Sequence, residues 1–252
     1  MKVSVITVAY NSERTIGDTL VSVAAQTHPD IEHLIIDGAS RDDTLGVVRR
    51  LGTRVAQVVS EPDKGIYDAM NKGIALATGD IIGFLNADDA YASPDSVSAI
   101  VAEFLRSGAD TVYGDLVYVR EDDLSAVVRV WRSGTFDITR LKYGWMPPHP
   151  TFYVRRQTMG LLGGFDTRFR ISADYDFMLR CLGRPECRVS RVRSVLVRMR
   201  TGGASNRSLK ALWRKSTEDL RVLRSSGVGA LGTLLCKNLR KLPQFFWSET
   251  PA

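Results

Sequence analysis

Four short apolar runs punctuate the first 90 residues, and each ends at a polar or acidic group. Val3–Tyr10 (VSVITVAY) opens onto Asn11-Ser12, and Glu32–Asp37 (EHLIID) ends in a carboxylate. Arg54–Ser60 leads into Glu61-Pro62-Asp63-Lys64-Gly65, and Asp80–Leu85 (DIIGFL) into Asn86-Ala87-Asp88-Asp89. The β-branched run Val3–Tyr10 suits a buried parallel strand, and the other three read as strands as well. Between them, apolar residues recur at helical spacing: Ile16, Leu20, Val23 and Ala24; then Leu45, Val48 and Leu51; then Ile66, Met70 and Ile74. A further amphipathic helix is expected over Pro94–Leu105. Such alternation predicts right-handed crossovers and a mostly parallel, twisted, Rossmann-like α/β sheet flanked by helices. Ligands of such sheets bind beyond the carboxyl ends of the strands, where the polar groups gather.

The second half is less regular. Thr111–Arg120, Ala126–Trp131 and Val189–Met199 read as strands, Trp145–Pro150 is too proline-rich for a helix, and Ser172–Asp176 opens a helix over Phe177–Leu182. At 252 residues, 44% hydrophobic and 25% charged, the chain has the balance of a globular protein rather than a disordered or disulfide-stapled one. Its three cysteines (Cys181, Cys187, Cys236) show no metal-site spacing and form no even set, which predicts a reducing compartment. No apolar run approaches a membrane span, and the N-terminus enters a strand-like run with no signal-peptide pattern.

The net charge of +6 is unevenly placed. Residues 1–119 carry a net −8, residues 120–200 a net +8 and residues 201–252 a net +6. An acidic first half argues against nucleic acid as a partner. It suits an anionic ligand only if a cation lies between them. Asn86-Ala87-Asp88-Asp89 offers hard oxygen ligands for Mg²⁺ or Mn²⁺, which are held by one or two carboxylates and substrate phosphates. The chain has neither a Gly-x-Gly-x-x-Gly turn after the first strand nor a P-loop lysine, which disfavours dinucleotide redox and P-loop phosphotransfer chemistry. A nucleotidyltransferase would need a glycine-rich basic loop where Ala9-Tyr10-Asn11-Ser12-Glu13 stands, and a non-catalytic nucleotide-sugar-binding or membrane-docking subunit remains an alternative.

VSVITVAYN, LIIDGASRDDT, EPDKGIYDAMNKGIALATGD and FLNADD, in that order, resemble the inverting glycosyltransferases of family 2, which have the GT-A fold, over roughly residues 1–200. The likeness points to the bacterial branch that builds surface polysaccharides and glycolipids. It implies a nucleotide-diphosphate sugar donor (UDP- or GDP-linked) and a lipid-linked glycan acceptor. Thr7, Ala9, Tyr10 and Asn11 would line the nucleotide pocket, Asp37 would bind base or ribose, and Asp63 would add a contact. Lys64, Gly65, Asp68, Asn71 and Lys72 would face the donor, with Asn86 and Ala87 beside it. Asp88 would bind the metal with Asp89 next to it. The family's Glu-Asp pair before a late helix, whose Asp is the catalytic base, corresponds to Ala173-Asp174, with Asp176 and His149 as alternatives.

The expected organisation is a catalytic domain over residues 1–204, divided into a nucleotide-sugar half (1–119) and an acceptor and base half (120–204), followed by a basic amphipathic helical tail (205–252). In that tail Leu209, Leu212, Trp213, Leu220 and Leu223 share one face, and an aromatic triplet, Phe245-Phe246-Trp247, follows. Basic residues with interfacial aromatics suit an anionic leaflet. They predict a cytoplasmic protein bound peripherally to the inner face of the plasma membrane through residues 205–247.

Overall fold

Strand β1 (Val3–Ala9) is buried at every position because its two alternating sets of side chains enter two separate cores. Ile6 and Val8 pack on one side with Leu34, Ile36, Met70 and Phe84. Val3 and Val5 pack on the other with Ile81, Val97, Ile100 and Phe104. This two-sided burial is the reason the strand reads as an unbroken apolar run. The computed structural model describes residues 1–202 and 209–239. Arg240, Lys241 and Phe245-Phe246-Trp247 lie outside the described residues, as do the side chains of Leu209, Lys210 and Leu212.

Helix α1 (Ile16–Ala24), β2 (Ile31–Asp37), α2 (Thr44–Leu51), β3 (Val55–Ser60), α3 (Ile66–Leu76) and β4 (Ile81–Phe84) complete the alternating half. β1 pairs in parallel with β2 and β4, and β2 with β3, so the strand order 3-2-1-4 brings all four carboxyl ends to one edge. β5 (Ala90–Tyr91), α4 (Ser96–Ser107), β6 (Thr111–Val119), β7 (Val127–Trp131), β8 (Tyr153–Arg155), α5 (Arg156–Leu162), α6 (Ala173–Leu182) and β9 (Val189–Arg200) extend it. β8 inserts antiparallel between β4 and β6, β9 pairs in parallel with β6, and β5 and β7 add antiparallel edges.

Two details differ from the sequence reading. In α2 the buried face is Thr44, Gly46, Val47 and Val48, and Leu51 at the last turn is exposed. Helix α6 begins four residues earlier than expected, at Ala173, with Ser172 as its N-cap, so Asp174 lies inside the first turn.

The tail forms α7 (Leu209–Ser225) and α8 (Leu231–Leu239), which pack on one another and on the domain. The apolar face read from the sequence is divided between packing and solvent. Val222 and Leu223 are buried, but Trp213 is 73% exposed, and Glu218 and Asp219 are buried in its place. No helix among the described residues is long and apolar enough to cross a membrane.

Candidate active site

The rim is assembled by the loops that leave the parallel strands. Tyr10 and Asn11 follow β1, and Asn11 adopts φ +50°, a left-handed conformation that asparagine tolerates. Its backbone N–H donates to Ser40 Oγ (2.8 Å), and its side-chain oxygen accepts from the Arg41 N–H (2.9 Å), fastening the first loop to the second. Asp37, at the end of β2, is fully buried and accepts from Ser40 N–H (3.0 Å), Ser40 Oγ and Ser60 Oγ (2.6 Å), which ties in the third strand. A Cβ at Gly38 would overlap an Asp63 carboxylate oxygen and press on the Tyr10 ring. Glycine here leaves room for the Asp63 carboxylate, which any larger residue would push aside. Tyr10 itself is 60% exposed. Thr7 stops short of the rim: it is fully buried, with its hydroxyl 2.9 Å from His33 Nε2. Ala9 is buried as well.

The loop before α3 is braced from within. Asp63 accepts from the Gly65 N–H (2.8 Å), and Asp68 from the Lys64 N–H (3.0 Å). The Lys72 ammonium pairs with Glu61 (2.8 Å), which raises its pKa, and donates to the Pro62 carbonyl (2.9 Å). Gly65 has φ +123°, and a Cβ there would meet nothing within 4 Å, so the loop needs glycine for its backbone and not for space. Asn71 faces elsewhere than expected: both ends of its amide bind the Phe165 backbone (2.9 and 2.8 Å).

Beyond β4 the four residues Asn86–Asp89 split in role. Asp89 is 1% exposed, accepting from the Arg200 N–H (3.3 Å) and from Asn86 Nδ2 (3.4 Å). Burial and the adjacent Asp88 push its carboxyl well above the ordinary carboxylate range. Ala87 is buried and Asp88 half-buried. The Arg200 guanidinium donates to the Asp88 carbonyl (2.7 Å) and the Glu121 carbonyl (2.9 Å) and pairs with Asp18, pinning this loop to the end of β9. The side-chain oxygen of Asn86 is buried with no hydrogen-bond partner. An orphaned buried oxygen is costly unless a ligand or cation completes it. Asn86 and Asp88, two residues apart on this loop, are the oxygen-bearing side chains that could hold Mg²⁺ or Mn²⁺. Among the described residues no cluster of three or more His, Cys, Asp or Glu side chains is arranged to hold an ion. Such a cation would therefore need donor phosphates in its shell.

Asn86 also lines a cleft of about 770 Å³ whose wall includes Tyr67, His149, Asp174, Tyr118, Trp131 and Trp145, with Arg129, Arg132, Arg140 and Lys215. Asp174, in the first turn of α6, accepts from the Tyr175 N–H (2.8 Å). The Tyr67 hydroxyl, with one proton to give, lies 3.0 Å from Asp174 Oδ1 and 2.7 Å from the Ile171 carbonyl. Asp176 is not part of the cleft wall; it is buried and paired with Arg180 (2.8 Å), which also donates to the Leu162 and Gly164 carbonyls. His149 stacks on Phe84 at 5.5 Å and meets Phe165 edge-on. Burial lowers its pKa, and the negative charge of Asp174 opposes that shift. The Trp145 indole N–H donates to the Ser133 carbonyl (2.7 Å), and its ring packs on Tyr113 and Phe136, so it is a wall built into the core. Tyr67 and Arg200 were missed by sequence reasoning: their partners lie 79 or more residues away, and no local pattern marks either.

Residues 4–168 match the model of the family described as Glycosyl transferase family 2. A PGL/p-HBAD biosynthesis glycosyltransferase of Mycobacterium bovis is 36% identical over 211 residues, covering 81% of this chain and 78% of the relative. An uncharacterised glycosyltransferase of Mycobacterium tuberculosis is 35% identical over 206 residues, covering 81% and 77%. Among solved structures, Staphylococcus aureus TarS 1–349 in complex with UDP-GlcNAc superposes with a TM-score of 0.69 at 18% identity, covering 90% of this chain and 66% of that one. The mannosyltransferase PcManGT of Pyrobaculum calidifontis, in complex with GDP-Man and Mn²⁺, gives 0.66 at 18%, covering 97% and 73%. These superpositions show the GT-A fold: a mixed sheet with a parallel nucleus, flanked by helices. The polar strand ends at one sheet edge and the matched sequence over most of the alternating half lead to one assignment: the chain is a glycosyltransferase and belongs to glycosyl transferase family 2.

Proposed function

We propose that this glycosyltransferase moves a sugar from a nucleoside-diphosphate donor, UDP- or GDP-linked, to a hydroxyl of a glycolipid or lipid-linked glycan, inverting the anomeric carbon. The observation that carries the reading is the shared cleft: Asn86, from the loop carrying Asp88, and Asp174 line the same cavity, with the Tyr67 hydroxyl holding the carboxylate. The donor nucleotide would lie along the rim formed by Tyr10, Asn11 and Asp63, whose loops the buried Asp37 braces, with its diphosphate toward Asn86 and Asp88. Asp89, already committed to Arg200 and Asn86, supports the loop and is not a ligand in this scheme.

In the reaction an acceptor oxygen attacks C1 of the sugar and forms the new C1–O bond. The bond from C1 to the diphosphate oxygen breaks, its electron pair leaving with the nucleoside diphosphate. The hydroxyl proton passes to Asp174, which must lie within about 3 Å of it. Base catalysis of this kind contributes roughly 10²–10⁴-fold. A divalent cation, Mg²⁺ or Mn²⁺ held by Asp88 and Asn86, supplies positive charge for the departing diphosphate when bound. His149, desolvated and kept neutral beside Asp174, lines the cleft and shapes the space for the acceptor.

Lipid acceptors and a membrane surface fit the tail. Leu231, Leu235 and Leu239, four residues apart on α8, are each about 60% exposed, and Trp213 on α7 is exposed as well. Arg214, Arg221 and Arg224 stand exposed on α7. An exposed apolar face on α8 and exposed arginines on α7 would suit an anionic leaflet and support the reading of peripheral binding at a membrane surface. The glycolipid-biosynthesis relative supports the acceptor class. The test is the configuration of the product, read by NMR of its anomeric proton after turnover of a defined nucleotide sugar. Inversion relative to the donor is expected; retention would rule out a single displacement with Asp174 as base.

A further inference from the structure

Residues 201–252 hold nine basic and three acidic side chains, and two of the three acids are adjacent and buried, Glu218 and Asp219. Burying two neighbouring carboxylates is unfavourable unless donors and a cation compensate. The compensation converges on one place, the turn that carries Asp174. Glu218 Oε2 accepts the backbone N–H of Ile171 (2.8 Å) and of Ser172 (3.1 Å). Asp219 accepts from Ser172 Oγ (2.8 Å), the hydroxyl that would ordinarily cap its own helix and here makes no such cap. The Lys237 ammonium of α8 closes the set. It pairs with Asp219 at 2.8 Å, both side chains about 5% exposed or less, and sits 3.3 Å over the ring of Tyr175, the neighbour of Asp174.

We propose that the two tail helices are a positioning device for the catalytic base, with Glu218 and Asp219, clamped by Lys237, setting the location of the Asp174 carboxylate. The inference rests on the assignment of Asp174 as the base. Ile171 is held from both sides, its N–H by Glu218 and its carbonyl by the Tyr67 hydroxyl that also reaches Asp174. The negative charge of Glu218 and Asp219 stands at the N-terminus of α6, the end where the helix dipole favours it. A carboxylate displaced by about 1 Å from a reacting hydroxyl costs on the order of 10²-fold in rate. Asp219, Lys237 and Ser172 line the same cleft as Asp174, and in this scheme their contacts set kcat by fixing the base. None of these three residues touches the reacting atoms in this scheme; they act through Asp174.

The test compares Glu218→Ala, Glu218→Gln and Ser172→Ala with Asp174→Asn in the full-length protein, measuring kcat, donor KM and the stoichiometry of nucleotide binding by calorimetry. Glu218→Ala is expected to lower kcat about 10- to 100-fold, with donor KM and binding stoichiometry unchanged. Glu218→Gln, which keeps an acceptor oxygen, is expected to recover most of the rate. Ser172→Ala, which removes only the hydroxyl bound to Asp219, gives a smaller loss of kcat and serves as the decisive variant if Glu218→Ala does not fold. A wild-type kcat in both truncations, or a loss matched by an equal fall in binding stoichiometry, would overturn the proposal. Full activity in Asp174→Asn would instead remove the base assignment itself, so the two failures are distinct.

Discussion

Acid should destabilise this protein through a buried histidine beneath the site. His33, on β2, is 1% exposed, has its Nε2 on the Thr7 hydroxyl, and is held by burial at a pKa of about 3, against 6.5 when free. It is therefore neutral when folded and takes a proton on unfolding below pH 6.5. Because the folded value is depressed, its contribution is complete above pH 6.5 and falls as pH drops from there toward 3. Between pH 7 and pH 5 the loss amounts to about 2 kcal/mol, at 1.36 kcal/mol per unit beyond the unfolded pKa. For a chain of this size that lowers Tm by about 4–8 °C. Scanning calorimetry at pH 7, 6 and 5 on wild type and His33→Gln isolates the effect. His149, also lowered by burial, adds acid sensitivity in both proteins and cancels in the comparison. Glu32 is held at about 2 by Lys2, Ser4 and Thr78, whose hydrogen bonds outweigh its desolvation. It stabilises the fold above pH 4.5 and withdraws only below that, outside the window. Parallel Tm–pH curves for the two proteins would refute the reasoning.

Further outcomes follow from the rim and the tail. Ala39 holds φ +61° without being glycine, so Ala39→Gly relieves left-handed strain at some cost in unfolded-chain entropy; the net gain is about 0.5–1 kcal/mol by thermal melt. An unchanged or lower Tm would count against strain at that residue. Replacing Leu231, Leu235 and Leu239 together by serine should release the protein from anionic liposomes in a sedimentation assay while nucleotide binding stays intact. Undiminished liposome binding would show that the exposed leucine face is not the docking surface.

How much of this was legible in sequence depended on how locally each feature is specified. β1, β2 and β4 announce themselves because burial on both faces makes them mostly apolar, and the few polar residues within β1 and β2, such as Ser4, Thr7 and His33, are buried and hydrogen-bonded. β5 and β8 do not: two and three residues carry no period, and their partners, Val197–Arg198 for one and Ile81–Ile82 with Thr111–Val112 for the other, are distant in the chain. The rim loops were readable as strand-end polar residues, yet Thr7 and Asn71 turned inward, to His33 and to the Phe165 backbone, because tertiary partners claimed them. Asp174 and Asp176 are two residues apart on one helix, and the Arg180 four residues beyond Asp176 was the available sign of which was already paired. The role of the tail was the least legible part. Its basic amphipathic pattern reads as a membrane-binding helix, whereas the two acids that break the pattern bind the turn that opens α6.

The most direct test of the catalytic scheme is single-turnover kinetics of Asp174→Asn alongside donor affinity measured on the same preparation. The account predicts a chemical step slowed at least about 10²-fold with nucleotide-sugar affinity within error of wild type. A variant that turns over at the wild-type rate, or one that loses donor binding in proportion to its activity, would contradict it.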